Sequence, residues 1–412
     1  METQRFSDHR YEVLRSSHRE DSFQDPNGSS HCQKNFHKIL EKKFEAPHFD
    51  YTYPNHTRHL LSDQSLDVAH NYLASHGVDK ELGPDLWSDL VNAKTPELMA
   101  FIFPDIDHRD FLWVAKFVSI IYAIDTKMDE CEFNDSPDKA CALVLGVTLA
   151  LLWYNPVNER LLEHLKPLFD CIKTDESRAL VKAFHEDLLH ARNGTKNLVD
   201  VEMTAFASAF REVWMEYCEA VPTEFLMRQA YANQDFLMGC IIKANNVKAG
   251  CQTKKVEEYI ALRRWTSCVP PFVICSDLFI SRMQVPHIPN SLFYGSEMQR
   301  LLLAINDAVS WHNDIFSAYK EVIIAEDDHN LVSALCEELN CASYTEAGRI
   351  ALQMVQDRIA DMECACEQLK ALAPPACQPA IERYIASCRN WISGTNQFHM
   401  TSARYKMPGT SK

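Results

Sequence analysis

From about residue 60 onward, apolar residues recur at three- and four-residue spacing over 64–77, 84–100, 108–130, 138–153, 156–173, 175–192, 200–219, 222–242, 253–267, 270–282, 295–324, 329–338, 344–371 and 376–397. That period marks one buried face of an α-helix. The breaks carry residues that cannot continue a helix or that favour turns: Pro84, Pro137, Pro156, Gly194, Pro222, Pro286 with Pro289, and Pro374 with Pro375. No strand-like alternation of any length, no repeat of constant period and no shift in composition asks for a second domain. The pattern predicts an all-α fold, a single helical bundle over residues 46–406. Residues 1–45, rich in Ser, His, Arg, Asp and Gln, lack the period and read as a disordered or loosely packed tail, and 407–412 as a short C-terminal one.

Composition supports this and narrows the partners. The chain has 412 residues, 46% hydrophobic, with only 11 Gly, which suits a large helical core. A formal net charge of −16 without a long Lys/Arg block argues against nucleic acid or an anionic membrane as partner. The longest apolar run, Ala140 to Tyr154, falls short of the roughly twenty residues that span a bilayer, and reads as a core helix. Fifteen Cys form no CxxC pair, the closest being Cys364 and Cys366, and no His cluster completes a zinc set. With no secretory signal at Met1-Glu2-Thr3-Gln4-Arg5, they read as reduced, mostly buried thiols of a cytoplasmic protein. Monomer and homodimer both stay open.

Two acidic constellations carry chemistry. Asn313, Ser317 and Glu321 stand at i, i+4 and i+8, so on an α-helix an amide, a hydroxyl and a carboxylate form one stripe. Such hard oxygen donors suit Mg²⁺, which is usually shared between a few protein oxygens and substrate phosphates, so the stripe predicts a diphosphate as well as a metal. A polar face on a surface helix would carry the same residues, but the run before the stripe, Met298 to His312, is largely apolar and predicts a buried helix. The second constellation is Asp125 and Asp129, i and i+4 at the end of the apolar run Phe111 to Ile124; like charges so placed destabilise a helix unless a cation joins them. A calcium loop is excluded, since its sixth position is Glu130 rather than Gly and its twelfth is Ser136.

Asp125-Thr126-Lys127-Met128-Asp129-Glu130, followed nearly two hundred residues later by Asn313-Asp314-Ile315-Phe316-Ser317-Ala318-Tyr319-Lys320-Glu321, resembles the class I terpene cyclases, particularly fungal sesquiterpene cyclases. The resemblance extends to Tyr259 to Ser267, similar to the segment carrying the family's diphosphate-sensing arginine, and to Trp391-Ile392-Ser393-Gly394-Thr395-Asn396 with Ser402-Ala403-Arg404-Tyr405. It implies a class I terpenoid synthase-like bundle around a central apolar cavity, and cyclisation of a prenyl diphosphate, with farnesyl diphosphate the expected substrate. It further implies three Mg²⁺: Asp125 bridging two, supported by Asp129 or Glu130, and Asn313, Ser317 and Glu321 holding the third. Arg264, ahead of Arg263, would grip the diphosphate together with Lys320, Arg404 and Tyr405. Phe117, Ile121, Tyr122, Ile305, Asn306 and Val309 are the expected cavity residues, with Trp311 and Phe206 behind them; aromatic faces would stabilise a carbocation. Asn306 stands out as an amide that is costly to bury without a purpose.

The chain departs from the family pattern at Thr126, where a second Asp is common, and at Cys268, where Gly usually follows the sensor arginine. No Asp-x-Asp-Asp motif for protonation-initiated cyclisation is present; Asp105-Ile106-Asp107-His108 lacks the last Asp. A chain-elongating prenyltransferase would need two Asp-rich motifs and fits less well. A catalytically silent helical scaffold is the alternative of another class.

Overall fold

The structure, a computed structural model, describes residues 58–129, 137–152, 204–249, 255–324 and 329–402, together with Tyr405 and isolated positions outside these spans. The expected tails, the predicted helix over 156–173 and most of that over 175–192 lie outside the described residues.

Helices make up the described chain, and among the described residues there is no strand. In order they are α1 (Ser62–Ser75), α2 (Val78–Leu82), α3 (Pro84–Ala93), α4 (Thr95–Ile102), α5 (His108–Asp129), α6 (Pro137–Leu152), α7 (Ala205–Ala220) and α8 (Leu226–Lys248). There follow α9 (Val256–Thr266), α10 (Val269–Ile274), α11 (Ser276–Met283), α12 (Asn290–Phe293), α13 (Ser296–Ala318), α14 (Leu331–Leu339), α15 (Tyr344–Leu372) and α16 (Gln378–Thr401). The apolar faces meet in one continuous hydrophobic core running from α1 to α16.

Local chemistry explains most boundaries. Thr204 caps α7 by accepting from the Ala207 N–H, Asn330 caps α14 through the Val332 N–H, and Ser343 caps α15 through the Glu346 N–H. The predicted helix over 84–100 is two helices, because Pro96 belongs in a first turn and Lys94 between them turns left-handed at φ 52°. Pro270 and Pro271 likewise open α10, and the predicted helix over 270–282 divides at Cys275 into α10 and α11.

Long-range polar bonds fix how the helices sit. The indole of Trp113 on α5 donates to the Val213 carbonyl (2.9 Å), and that of Trp214 on α7 to the Leu151 carbonyl (3.2 Å). Arg228 on α8, fully buried, meets Asp277 at 3.1 Å and Asn290 at 3.0 Å, with its guanidinium between the Phe225 and Phe293 rings. A buried charge is tolerated only when paired and bonded in this way.

Candidate active site

One end of the bundle encloses a cavity of about 150 Å³ that opens to solvent at its mouth. The α3–α4 junction supplies Ala93, Thr95, Leu98 and Met99; α5 supplies Val118, Ile121, Tyr122 and Asp125; α13 supplies Val309, Ser310 and Asn313. Trp391, Thr395, Phe398 and His399 of α16, with Tyr405, close the opposite side. The remaining wall is the C-terminal end of α9 and the start of α10: Arg263, Thr266 to Val269, and Phe272.

One member of each constellation, Asp125 and Asn313, therefore lines the same cavity, while Ser317 and Glu321 stand outside its lining. Asp125 faces Arg263 closely enough to reinforce its charge. The Arg263 guanidinium donates to the buried Asp314 (Nε 3.1 Å) and reaches the Asn313 Oδ1 at 3.3 Å, while Tyr259 also donates to Asp314. Burial works against the charge of Arg263, but Asp314, Tyr259, Glu321 and Asp125 together outweigh it, so the guanidinium stays protonated. Asn313 Nδ2 lies 2.9 Å from the Tyr405 hydroxyl and 3.4 Å from His399 Nε2. His399 stacks on His312, their Nδ1 atoms 3.1 Å apart; burial lowers both pKa values, that of His312 to about 3, so both rings are neutral.

The stripe is not one continuous α-helix. α13 ends at Ala318, and Tyr319–Ile324 is a π-helical segment, a local widening found often at functional sites. Ser317 and Glu321 nevertheless meet: Ser317 Oγ donates to Glu321 Oε2 at 2.8 Å. Asn330 completes the cluster, its fully buried amide placing Nδ2 3.0 Å from the same oxygen, 3.4 Å from Ser317 Oγ and 2.9 Å from the Asp314 carbonyl. Both bonds to Glu321 fall on Oε2, so Oε1 remains for a cation. Burial, and then the Asp314 carboxylate, raise the pKa of Glu321, a penalty a bound cation removes. The donors are an amide, a hydroxyl and carboxylates; among the described residues no group of three or more His, Cys, Asp or Glu gathers to hold a metal ion. This set fits a hard, partly hydrated ion such as Mg²⁺.

Several expected residues stand elsewhere. Arg264 does not line the cavity: its Nε and Nη2 donate to the two oxygens of the buried Asp307, each at 2.8 Å, and Arg358 reaches the same carboxylate at 2.8 Å. Consecutive helical residues diverge by about 100°, so only one of the pair faces inward, and it is Arg263. Asn306 is turned outward as well; its Nδ2 donates to the Arg264 carbonyl at 3.0 Å, tying α13 to the end of α9. Ile305 is wholly buried in the core, and Phe117 packs one layer back, 5.0 Å from the Phe272 ring that does line the cavity. Trp311 and Phe206 are buried outside the lining. Lys320 is exposed on the π segment. Asp129 ends α5, but its side chain, with Glu130 and Arg404, lies outside the described residues.

Sequence reasoning gave no role to Asn330, Phe272, Phe398, His399 or Val269, and quoted Thr266, Ser267, Cys268 and Thr395 only within segments compared with the family. Asn330 carried a signal, an N-cap residue before the apolar start of α14; the others show no polar spacing that separates them from ordinary core.

A family model described as terpene synthase family 2, C-terminal metal binding, matches residues 168–361, a span that holds Arg263 and the whole Asn313–Glu321 stripe. Alpha-gurjunene synthase of Marchantia polymorpha is 38% identical over 376 residues, 89% of this chain and 87% of that protein. The chain belongs to the terpene synthase family. As a class I terpene cyclase it is an enzyme, a lyase that acts on a prenyl diphosphate and depends on a divalent metal. A more distant relative is 4-epi-cubebol synthase ((2E,6E)-farnesyl diphosphate cyclizing) of Streptosporangium roseum, 27% identical over 200 residues, 48% of this chain and 58% of that protein. Relatives from bacteria and fungi occur alongside, so the likeness is not to fungal cyclases alone. Among solved structures, hedycaryol synthase in complex with HEPES aligns with a TM-score of 0.59 at 15% identity, over 87% of this chain and 100% of that one. Alpha-eudesmol synthase aligns at 0.62 and 14%, with the same coverage. These show the all-α class I terpenoid synthase fold. Among the described residues, no helix of this terpene cyclase is long and apolar enough to cross a membrane.

Proposed function

We propose that this terpene cyclase converts farnesyl diphosphate to a sesquiterpene product. The observation that carries the reading is the joining of Asp125, Arg263 and Asn313 in the wall of one cavity lined also by Ile121, Tyr122, Phe272, Val309 and Trp391. The names of two relatives support the chain length: one is a (2E,6E)-farnesyl diphosphate cyclizing enzyme and another a sesquiterpene synthase, of Cyclocybe aegerita. Asp125 with Asp129, and Asn313, Ser317 and Glu321, would hold three Mg²⁺. When bound, the metal neutralises negative charge on the departing diphosphate.

The residues of the chain do the rest. Arg263, held in its charged form by the acidic groups around it, offers charge-assisted hydrogen bonds to the diphosphate, and Lys320, Arg404 and Tyr405 would join it. The carbon chain then points inward, where apolar walls exclude bulk water and aromatic faces stabilise positive charge without offering a nucleophile. Cyclisation ends by loss of a proton or capture of water. The catalytic domain covers residues 46–406, a reading supported by the single core that joins α1 to α16.

The test is incubation of the purified full-length protein with farnesyl and geranylgeranyl diphosphates, with and without Mg²⁺, followed by gas chromatography. A C15 hydrocarbon or alcohol formed only with metal is expected. Metal-independent turnover, or no product from either substrate, counts decisively against the proposal.

A further inference from the structure

Deep in the cavity wall, two polar side chains of α16 lack the partners that their kind normally has. Trp391 and Thr395 stand one turn apart on the lining face, and each is 3% exposed. Neither the indole Nε1 nor the Thr395 Oγ1 has a hydrogen-bond partner among the described residues. Trp311 Nε1 and Ser387 Oγ are likewise unpartnered among the described residues, but neither lines the cavity, and others of these groups are satisfied. The indoles of Trp113 and Trp214 donate to carbonyls, and on α16 itself Ser393 and Thr401 bond back to carbonyls three or four residues earlier. That back-bond is the usual resort of a hydroxyl inside a helix, and Thr395 forgoes it.

A buried donor left unmet costs roughly 1–3 kcal/mol, so two side by side in a cavity wall call for a ligand. The diphosphate does not serve them. Its groups Asn313 and Arg263 sit at the mouth, beside His399, whereas Thr395 and Trp391 lie four and eight residues back along α16, roughly 6 and 12 Å deeper at 1.5 Å per residue. The substrate's hydrocarbon chain, which would fill that depth, offers no hydrogen bond. The ligand must be small, must accept from an indole N–H and must pair with a hydroxyl in either sense. Water meets all three conditions.

We propose that Trp391 Nε1 and Thr395 Oγ1 hold a water molecule against the inner wall, and that this water captures the cyclised carbocation. The inference rests on the farnesyl diphosphate reading for its substrate. The water oxygen supplies the electron pair of the new C–O bond, the oxonium so formed gives up one proton to solvent water, and the product is a sesquiterpene alcohol. No oxidant or reductant takes part.

The experiment uses the full-length protein with Mg²⁺ and farnesyl diphosphate in H₂¹⁸O, with gas chromatography and mass spectrometry of the products, and a crystal structure of the resting protein. The expected results are an alcohol carrying one ¹⁸O and an ordered water within hydrogen-bond distance of both atoms. Thr395→Val and Trp391→Phe should each lower the alcohol-to-hydrocarbon ratio by about fivefold or more, the worth of one hydrogen bond, while Thr395→Ser, which keeps the hydroxyl, should preserve it. Turnover to hydrocarbon alone, or an alcohol ratio that neither substitution moves, overturns the water site and leaves the farnesyl diphosphate reading intact. Absence of any turnover removes that reading instead, and the crystallographic water then decides: its presence on both atoms upholds the site, and its absence overturns it.

Discussion

Arg263 and Arg264 each pair with a buried carboxylate, Asp314 and Asp307, but only Arg263 lines the cavity, and substitution should separate them. Arg263→Ala removes charge-assisted bonds of about 1.5–3 kcal/mol from the diphosphate end, so binding of Mg²⁺-diphosphate should weaken roughly 10–100-fold by calorimetry. Arg264→Ala breaks a bidentate pair on the buried Asp307, and breaking such a pair costs roughly 3–5 kcal/mol. It should show first as a fall in the thermal midpoint; a larger loss of diphosphate affinity than in Arg263→Ala would reverse the assignment. Asn330→Ala should do both things mildly. Losing the α14 cap costs about 1 kcal/mol, and Glu321, freed from its amide, should need a severalfold higher Mg²⁺ concentration for half-maximal turnover; an unchanged Mg²⁺ dependence would remove Asn330 from the metal rim. At this scale the sequence displayed the charged and oxygen-bearing groups because their spacing is unusual. It hid which arginine turns inward, since that depends on the rotation of α9 about its axis, and the Asp307 that sets the rotation lies more than forty residues away.

Elements position these side chains through close approaches that only a missing Cβ allows. A Cβ on Gly239 of α8 would lie 2.4 Å from the carbonyl carbon of Trp265, 2.5 Å from its oxygen and 2.7 Å from the Thr266 nitrogen. All three atoms are backbone at the end of α9, the segment that carries Arg263 and continues into the Thr266–Val269 wall. Gly239→Ala must therefore push α9 off α8, at a cost of about 1–3 kcal/mol or more. The urea midpoint should fall with an unchanged slope, and turnover of the folded fraction should fall with it; turnover at the wild-type level would mean that the wall need not be held in place. Gly394 faces a gentler contact, 3.1 Å to Ile102 and Phe101, and Gly394→Ala should cost less. The helices themselves were legible from period and proline, because burial of one face dictates both. The split at Lys94 carried a signal in Pro96 that the helical period overrode, whereas the π segment after Ala318 is a change in backbone winding with no such mark.

Across the whole molecule, a net charge of −16 draws in Mg²⁺ and repels a free diphosphate. Metal and diphosphate should therefore bind as a pair, each supplying the countercharge the other needs at a mouth already lined by Asp125. Thermodynamic linkage converts this into an observable: a ligand at 100 times its dissociation constant stabilises the folded state by about 2.7 kcal/mol. For a chain of this size that should raise the thermal midpoint by a few degrees. Mg²⁺ and inorganic diphosphate added together should produce the shift, and either alone much less, as followed by differential scanning fluorimetry. Chelation should cancel the shift and abolish turnover, and fresh Mg²⁺ should restore both. Raising ionic strength should weaken the pair, because screening acts on the long-range field of the acidic surface, while the buried Arg263–Asp314 contact behind the site is largely sheltered. A full shift with diphosphate alone would mean that the basic residues suffice to hold it, and the oxygen-bearing rim of Asn313, Ser317 and Glu321 would then need another purpose.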